Sequence, residues 1–206
     1  MENIYYHNLS FSFGKKVIVK NQDLVINSGA IIGLIGKNGV GKSTLLKIIC
    51  NLDKNYNEVR FNFVINKPAF YPELTGYQNL HYLCILYHVN PLKIDEVLKR
   101  VYLYNARKIK YEKYSLGMKQ RLALSKWLLL DSDIYVFDEP TNGLDFEGIK
   151  ILNSIIMDLI KRNKTIIMAS HDIHYLKKFC NTYWLLDKGI IHVLSLNELE
   201  RTKIYE

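Results

Sequence analysis

Three short stretches of the chain run apolar almost without interruption. Residues 30–36, AIIGLIG, are rich in β-branched side chains and end in glycine. Residues 134–140, IYVFDEP, start after the turn DSD and stop at a proline, and residues 165–172 read TIIMASHD. Runs of this length and composition predict strands buried on both faces. From Lys42, KSTLLKIIC has the helical period, with Leu45, Leu46, Ile48 and Ile49 on its apolar face. IHYLKKFC, after the third run, reads as a helix too. Buried strands alternating with helices imply a parallel, doubly wound α/β sheet. At the far end, YWLLDKGIIHVL (183–194) predicts a hairpin turning at Asp187, Lys188 and Gly189. The opening segments IYYHNLSFSF and VIVKNQDLVI predict a small antiparallel pair.

Between about residues 66 and 130 the pattern changes. GYQNLHYLCILYHV and KIDEVLKRVYLY are helical in period, and no buried-strand run occurs among them. A helical insertion in the α/β core is expected there. Within it, YSLGMKQR (114–121) precedes the apolar LALSKWLLL. Ser115 stands where a helix N-cap belongs, and Gly117 allows another group close to the backbone. Such a helix start offers free N–H groups and a positive dipole end to an anion.

Composition narrows the class. With 206 residues, 49% apolar and 23% charged, the chain suits one globular domain with a substantial core. Cys50, Cys84 and Cys180 are odd in number and in no metal-ligand spacing, which reads as reduced thiols in the cytoplasm. The start MENIYYHNLSF has neither the basic flank nor the apolar run of a signal peptide. The longest apolar candidate for a membrane span, ALSKWLLL, is broken by Lys126. A net charge of +8 admits nucleic acid or an anionic membrane as partner, but the lysines are dispersed. Dispersed charge reads as solvated helix faces, so no nucleic-acid partner is expected.

Candidate chemistry sits at the ends of the buried runs. GKNGVGKST (36–44) fits G-x-x-x-x-G-K-[ST] and lies between a predicted strand and a predicted helix, the context a phosphate-cradling P-loop needs. Gly36, Gly39 and Gly41 let successive backbone N–H groups point inward, and Asn38, Val40 and Thr44 complete the cradle. Lys42 is expected on the β- and γ-phosphates, and the Ser43 hydroxyl on Mg²⁺. Asp138 and Glu139 close the second strand, at the edge where doubly wound folds bind ligands. Asp138 can hold the metal, and Glu139 can polarise an attacking water. His171 follows the third strand. A lone histidine is as readily a surface or core residue, but here it is also placed to hydrogen-bond a γ-phosphate.

These motifs, in this order and over nearly the whole chain, resemble the nucleotide-binding domain of ATP-binding cassette (ABC) ATPases. GKNGVGKST looks like Walker A, YSLGM like the signature motif usually written LSGGQ, FDEPTNGLD like Walker B with the D-loop, and SHD like the switch-histidine motif. Phe13 is similar in position to the aromatic that stacks on adenine, although an aromatic on a strand also serves a core. The resemblance implies a single domain over 1–206, with an α/β core at 1–65 and 131–206 and a helical subdomain at about 66–130. It implies two such domains, as homodimer or heterodimer, enclosing two ATP molecules with Mg²⁺. Ser115 and Gly117 would then reach the γ-phosphate bound by the partner, Asp145 would lie in the interface, Glu139 would be the general base and His171 the γ-phosphate sensor. A separate ABC transmembrane subunit and a cytoplasmic, peripheral place on the inner face of the membrane are implied with it.

NKPAFYPELTGYQNL and YSLGMKQRLALS look most like exporter ATPases of the bacitracin-resistance and lantibiotic-immunity kind, which move peptides or other amphipathic compounds. Three positions depart from the family pattern. Asn66 stands where a glutamine ligand of Mg²⁺ and nucleotide is usual, one methylene shorter. Leu116 and Met118 replace a glycine and a glutamine of the signature. Only the 21 residues from Leu45 to Ile65 separate the P-loop from Asn66, which suggests a trimmed β subdomain. The alternative reading is a non-transport ABC ATPase acting on DNA or the ribosome. Such proteins usually carry coiled-coil insertions or two cassettes, and this chain has one cassette and no heptad run.

Overall fold

A computed structural model describes residues 2–14, 16–52, 61–64 and 70–202. Asn66 and most of the segment expected as a trimmed β subdomain lie outside them. The chain forms two compact units. One takes in Met1–Phe63, Ser132–Pro140 and Leu159–Glu206, and the other Val64–Asp131 and Thr141–Asp158.

In the first unit, strands β1 (Ile4–Phe13) and β2 (Lys16–Ile26) pair antiparallel, as their alternation predicts. A six-stranded sheet follows the order β4-β5-β6-β3-β7-β8. Its members are β3 (Ile31–Ile35), β4 (Phe61–Val64), β5 (Ile134–Asp138), β6 (Thr165–Ala169), β7 (Thr182–Asp187) and β8 (Ile190–Leu194). β3 runs parallel to both β6 and β7, and β5 runs parallel to β6. Every residue of β3, β5 and β6 is buried, which is why these strands read as unbroken apolar runs. β7 and β8 form the expected antiparallel hairpin, with Lys188 and Gly189 at positive φ in its turn. Helix α1 (Lys42–Leu52) buries Leu45, Leu46, Ile48 and Ile49 in one cluster with Ile18, Leu34, Val136 and Ile167. Each such side chain contributes about 1.5–3 kcal/mol by leaving water. Helices α6 (Ile173–Lys177) and α7 (Leu196–Arg201) are short and capped by Asp172 and Ser195.

The second unit is helical. α2 (Gly76–Leu86) opens on a capping box in which Thr75 and Gln78 satisfy each other's backbone N–H groups. The buried Asn79 amide accepts from the Tyr71 N–H and donates to the carbonyls of Tyr71, Leu74 and Thr75, fixing the approach to α2. α3 (Ile94–Arg100) and α4 (Leu116–Leu129) pack against α2 and each other through Leu80, Cys84, Val97, Leu98, Leu122 and Leu129. α5 (Phe146–Lys161) begins in this unit. Neither α5 nor the four-residue β4 is among the elements expected from sequence.

Candidate functional site

The P-loop forms where its spacing predicts it, between β3 and α1. Gly36 has a φ of 153°, and a Cβ there would meet the Leu186 carbonyl oxygen at 2.7 Å, so both backbone angle and space demand glycine. The turn closes with the Val40 N–H donating to the Lys37 carbonyl at 3.1 Å. Lys42 is buried, and its Nζ donates to the Gly36 carbonyl at 2.7 Å. Asn38 and Ser43 are exposed, while Val40 and Thr44 are half-buried. A second lysine holds the loop: Lys16, which sequence reasoning does not single out, donates from Nζ to the Gly39 carbonyl. Lys16 also pairs across the β1–β2 hairpin with Phe13. The Phe13 ring is 74% exposed, so it serves no core; the hairpin tip presents it to solvent beside an ammonium that touches the loop.

The other predicted residues of this unit gather at one sheet edge. Leu34 and Asp138 each stand opposite Ala169, so β3, β5 and β6 end at the same level as three adjacent strands. Gly36, Glu139 and His171 follow directly from those ends. Glu139 takes a left-handed backbone, φ 49°, in which its N–H donates to the Ala169 carbonyl at 2.9 Å. Its carboxylate Oε2 lies 2.8 Å from His171 Nδ1. A carboxylate only accepts, so Nδ1 carries the proton and Nε2 is the ring's remaining nitrogen. The imidazole is 62% exposed and the Glu139 side chain 17%. Sequence reasoning names the two residues separately and does not foresee that they pair. It also misses Ser170, buried next to His171 in the chain. The Ser170 hydroxyl accepts from the Asp172 N–H at 3.1 Å and lies 3.5 Å from Glu139 Oε2.

Asp138 tests the fit of a cation. Its side chain is buried, and its Oδ1 has no hydrogen-bond partner among the described residues. A buried carboxylate oxygen left unpaired is costly unless something positive meets it. Among the described residues no three His, Cys, Asp or Glu side chains gather as a metal cage. A hard cation such as Mg²⁺, which takes few protein oxygens and keeps phosphate and water oxygens in its shell, is of the kind that an unpaired carboxylate oxygen can meet.

A second group forms within the helical unit. Ser115 caps α4, its Oγ accepting from the Met118 N–H at 3.2 Å. A Cβ at Gly117 would fall 2.6 Å from Asp145 Oδ2, while Asp145 Oδ1 accepts from the Gly148 N–H at 2.7 Å. Gly117 and Asp145, predicted from separate motifs, thus meet in the first turn of α4, next to its cap Ser115. Leu116, the departure from the signature pattern, is exposed beside them. Arg121 and Glu147, joined at 2.7 Å, complete the group and carry no signal in the sequence.

Residues 19–142 match the family model described as ABC transporter. The chain is 34% identical to the lantibiotic transport ATP-binding protein SrtF of Streptococcus pyogenes, over 96% of this chain and 95% of that protein. It is 30% identical to the bacitracin transport ATP-binding protein BcrA of Enterococcus faecalis, over 94% of this chain and 70% of that one. Its fold matches a dimeric ATP-binding cassette solved in a post-hydrolysis state with ADP and Pi, at a TM-score of 0.76 and 23% identity, over 92% of this chain and 97% of that one.

Proposed function

The chain belongs to the ABC transporter family as an ATP-binding and ATP-hydrolysing subunit, and from that premise we propose that it powers export of a peptide or other amphipathic compound through a separate membrane subunit. The relatives named for lantibiotic and bacitracin transport support that class of cargo. No helix among the described residues is long and apolar enough to cross a membrane. The reading therefore puts the translocation path in the partner, and this chain in the cytoplasm against the inner face of the membrane.

The observation that carries the mechanism is the Glu139–His171 pair at the strand ends beside the P-loop. In this reading Lys42 leaves the Gly36 carbonyl for the β- and γ-phosphates, the P-loop N–H groups bind their oxygens, and Phe13 stacks on adenine. Ser43 and Asp138 would hold Mg²⁺, which supplies charge neutralisation at the β- and γ-phosphate oxygens. Glu139 orients a water and accepts its proton as the water oxygen bonds to the γ-phosphorus and the bond to the β-phosphate oxygen breaks, leaving ADP and phosphate. His171 steers the Glu139 carboxylate through its Nδ1–H; to bond a γ-phosphate oxygen as well, which only accepts, the ring must also carry a proton on Nε2. Two copies, or one copy and a related subunit, would close head to tail. Each would offer Ser115 and Gly117 to the other's γ-phosphate, with Asp145 in the interface. The solved dimeric cassette supports such an arrangement by its fold.

Glu139→Gln keeps the shape and removes the base. Hydrolysis should fall by about 10²–10⁴-fold, while ATP binding survives and an ATP-dependent dimer accumulates in size-exclusion chromatography. A Glu139→Gln protein that stays monomeric with ATP and hydrolyses normally would overturn the reading. Purification in detergent should recover an integral membrane protein in stoichiometric amount; ribosomes or DNA in its place would point to a non-transport ATPase.

A further inference from the structure

Three contacts tie the start of α4 to the segment that leads into α5. A Cβ at Gly117 would fall 2.6 Å from Asp145 Oδ2 and one at Gly143 would fall 2.5 Å from Gln120 Nε2, so both glycines lie close against those side chains. Arg121 Nη1 donates to Glu147 Oε2 at 2.7 Å. Positions 117, 120 and 121 share one face of a helix, so the first turns of α4 are committed to residues 143–147.

The ion pair is a poor device for stability alone. Glu147 is 59% exposed, and a pair with one partner in water adds little. The Arg121 side chain is only 14% exposed, and its Nε has no hydrogen-bond partner among the described residues, an arrangement that costs folding free energy. What the pair supplies is register. With Glu147 in the first turn of α5 and Asp145 just before that helix, fixing one carboxylate fixes the other relative to Gly117. We propose that Arg121 is a positioning residue for ATP hydrolysis: through Glu147 it locks the 143–147 segment against α4, so that Ser115, Gly117 and Asp145 present one preformed surface to a second ATP-loaded copy of this chain. This rests on the composite-site reading above.

The P-loop lies in the other unit of the chain, so the lock should affect assembly and turnover, not nucleotide binding by the monomer. The test uses full-length Glu147→Gln, Arg121→Gln, Arg121→Lys and the charge-swapped Arg121→Glu/Glu147→Arg. Glu147→Gln, at the exposed partner, disturbs folding least. We expect kcat to fall about tenfold in Arg121→Gln and Glu147→Gln, with the monomer's ATP affinity within about twofold of wild type. In the Glu139→Gln background, dimerisation should need about tenfold more protein. Arg121→Lys should recover only part of the loss, because an ammonium lacks the planar fork. The charge swap should recover most of it. Single variants that turn over at the wild-type rate would overturn the role, as would losses that track a lowered melting temperature and are not rescued by the swap. A wild-type protein that neither hydrolyses ATP nor dimerises as Glu139→Gln would overturn the composite site itself, and wild-type activity beside a silent Glu147→Gln only this role.

Discussion

At the scale of single residues, the glutamate proposed as base is held in a backbone state that a glutamate does not choose. Glu139 sits at φ 49° and is followed by Pro140, which pushes the residue before it toward extended backbone. Left-handed backbone costs an L-residue roughly 1–2 kcal/mol. The surroundings offset it with the bond from the Glu139 N–H to Ala169 and the contact of the carboxylate with His171. Strain of this kind persists where a site needs a side chain aimed in one direction. Comparing Glu139→Gly with Glu139→Ala isolates it, since both lose the carboxylate and only alanine keeps the Cβ. The glycine variant should be the more stable by about 0.5–1 kcal/mol in urea denaturation, after allowing for glycine's greater freedom in the unfolded chain. Equal stability, or a more stable alanine variant, would mean that the local backbone stores no strain. Neither variant should hydrolyse ATP.

Among the elements, those that are buried along their whole length, or whose turn is written in adjacent residues, are the ones the amino-acid pattern foretells. β3, β5 and β6 are unbroken apolar runs because both faces of each are covered, and the β7–β8 turn is written in Lys188 and Gly189. The glycines, lysine and carboxylates of the candidate nucleotide site stand out in the sequence for the same reason: each occupies a fixed place after one strand. β4 is too short to show a pattern, and Arg121, Ser170 and Lys16 meet partners 26, 31 and 23 positions away. Folding alone brings those partners together. Tyr114 is a further case. Its hydroxyl donates to the Ala106 carbonyl at 2.9 Å and closes over the first residue of α2, where a Cβ on Gly76 would lie 2.1 Å from the phenol oxygen. Gly76→Ala should therefore cost about 1–3 kcal/mol through overpacking. In a Tyr114→Phe background the oxygen is gone, and the same substitution should cost less than half as much. Equal costs in both backgrounds, measured by denaturant titration, would show that the phenol does not limit the start of α2.

For the whole molecule, buried acids that keep their protons set the alkaline limit of stability. Burial pushes the Cys180 thiol up to about 12 from a usual 9.0 and the Tyr183 phenol up to about 12 from 10.0, with the negative charge of a neighbouring Cys180 thiolate raising the phenol further. Burial also raises Tyr175, Cys84, Tyr111 and Tyr114. Above the usual value the unfolded chain gives up protons that the native chain retains. The native state then binds more protons, and the free energy of unfolding falls as pH rises. The stabilisation from these groups is complete below about pH 9 and is lost progressively toward about pH 12, by up to about 1.4 kcal/mol per pH unit for each group fully in its window. The net charge of +8 acts the other way, because deprotonating lysines relieves self-repulsion. Cys180→Ala separates the two effects: the decline that begins near pH 9 in the wild type should be shallower in the variant, where Cys84 and the tyrosines remain. Urea unfolding followed between about pH 8 and 11 reads this directly. A wild-type stability that stays level or rises over that range, with the same slope in Cys180→Ala, would mean that charge relief and not proton retention governs the alkaline side.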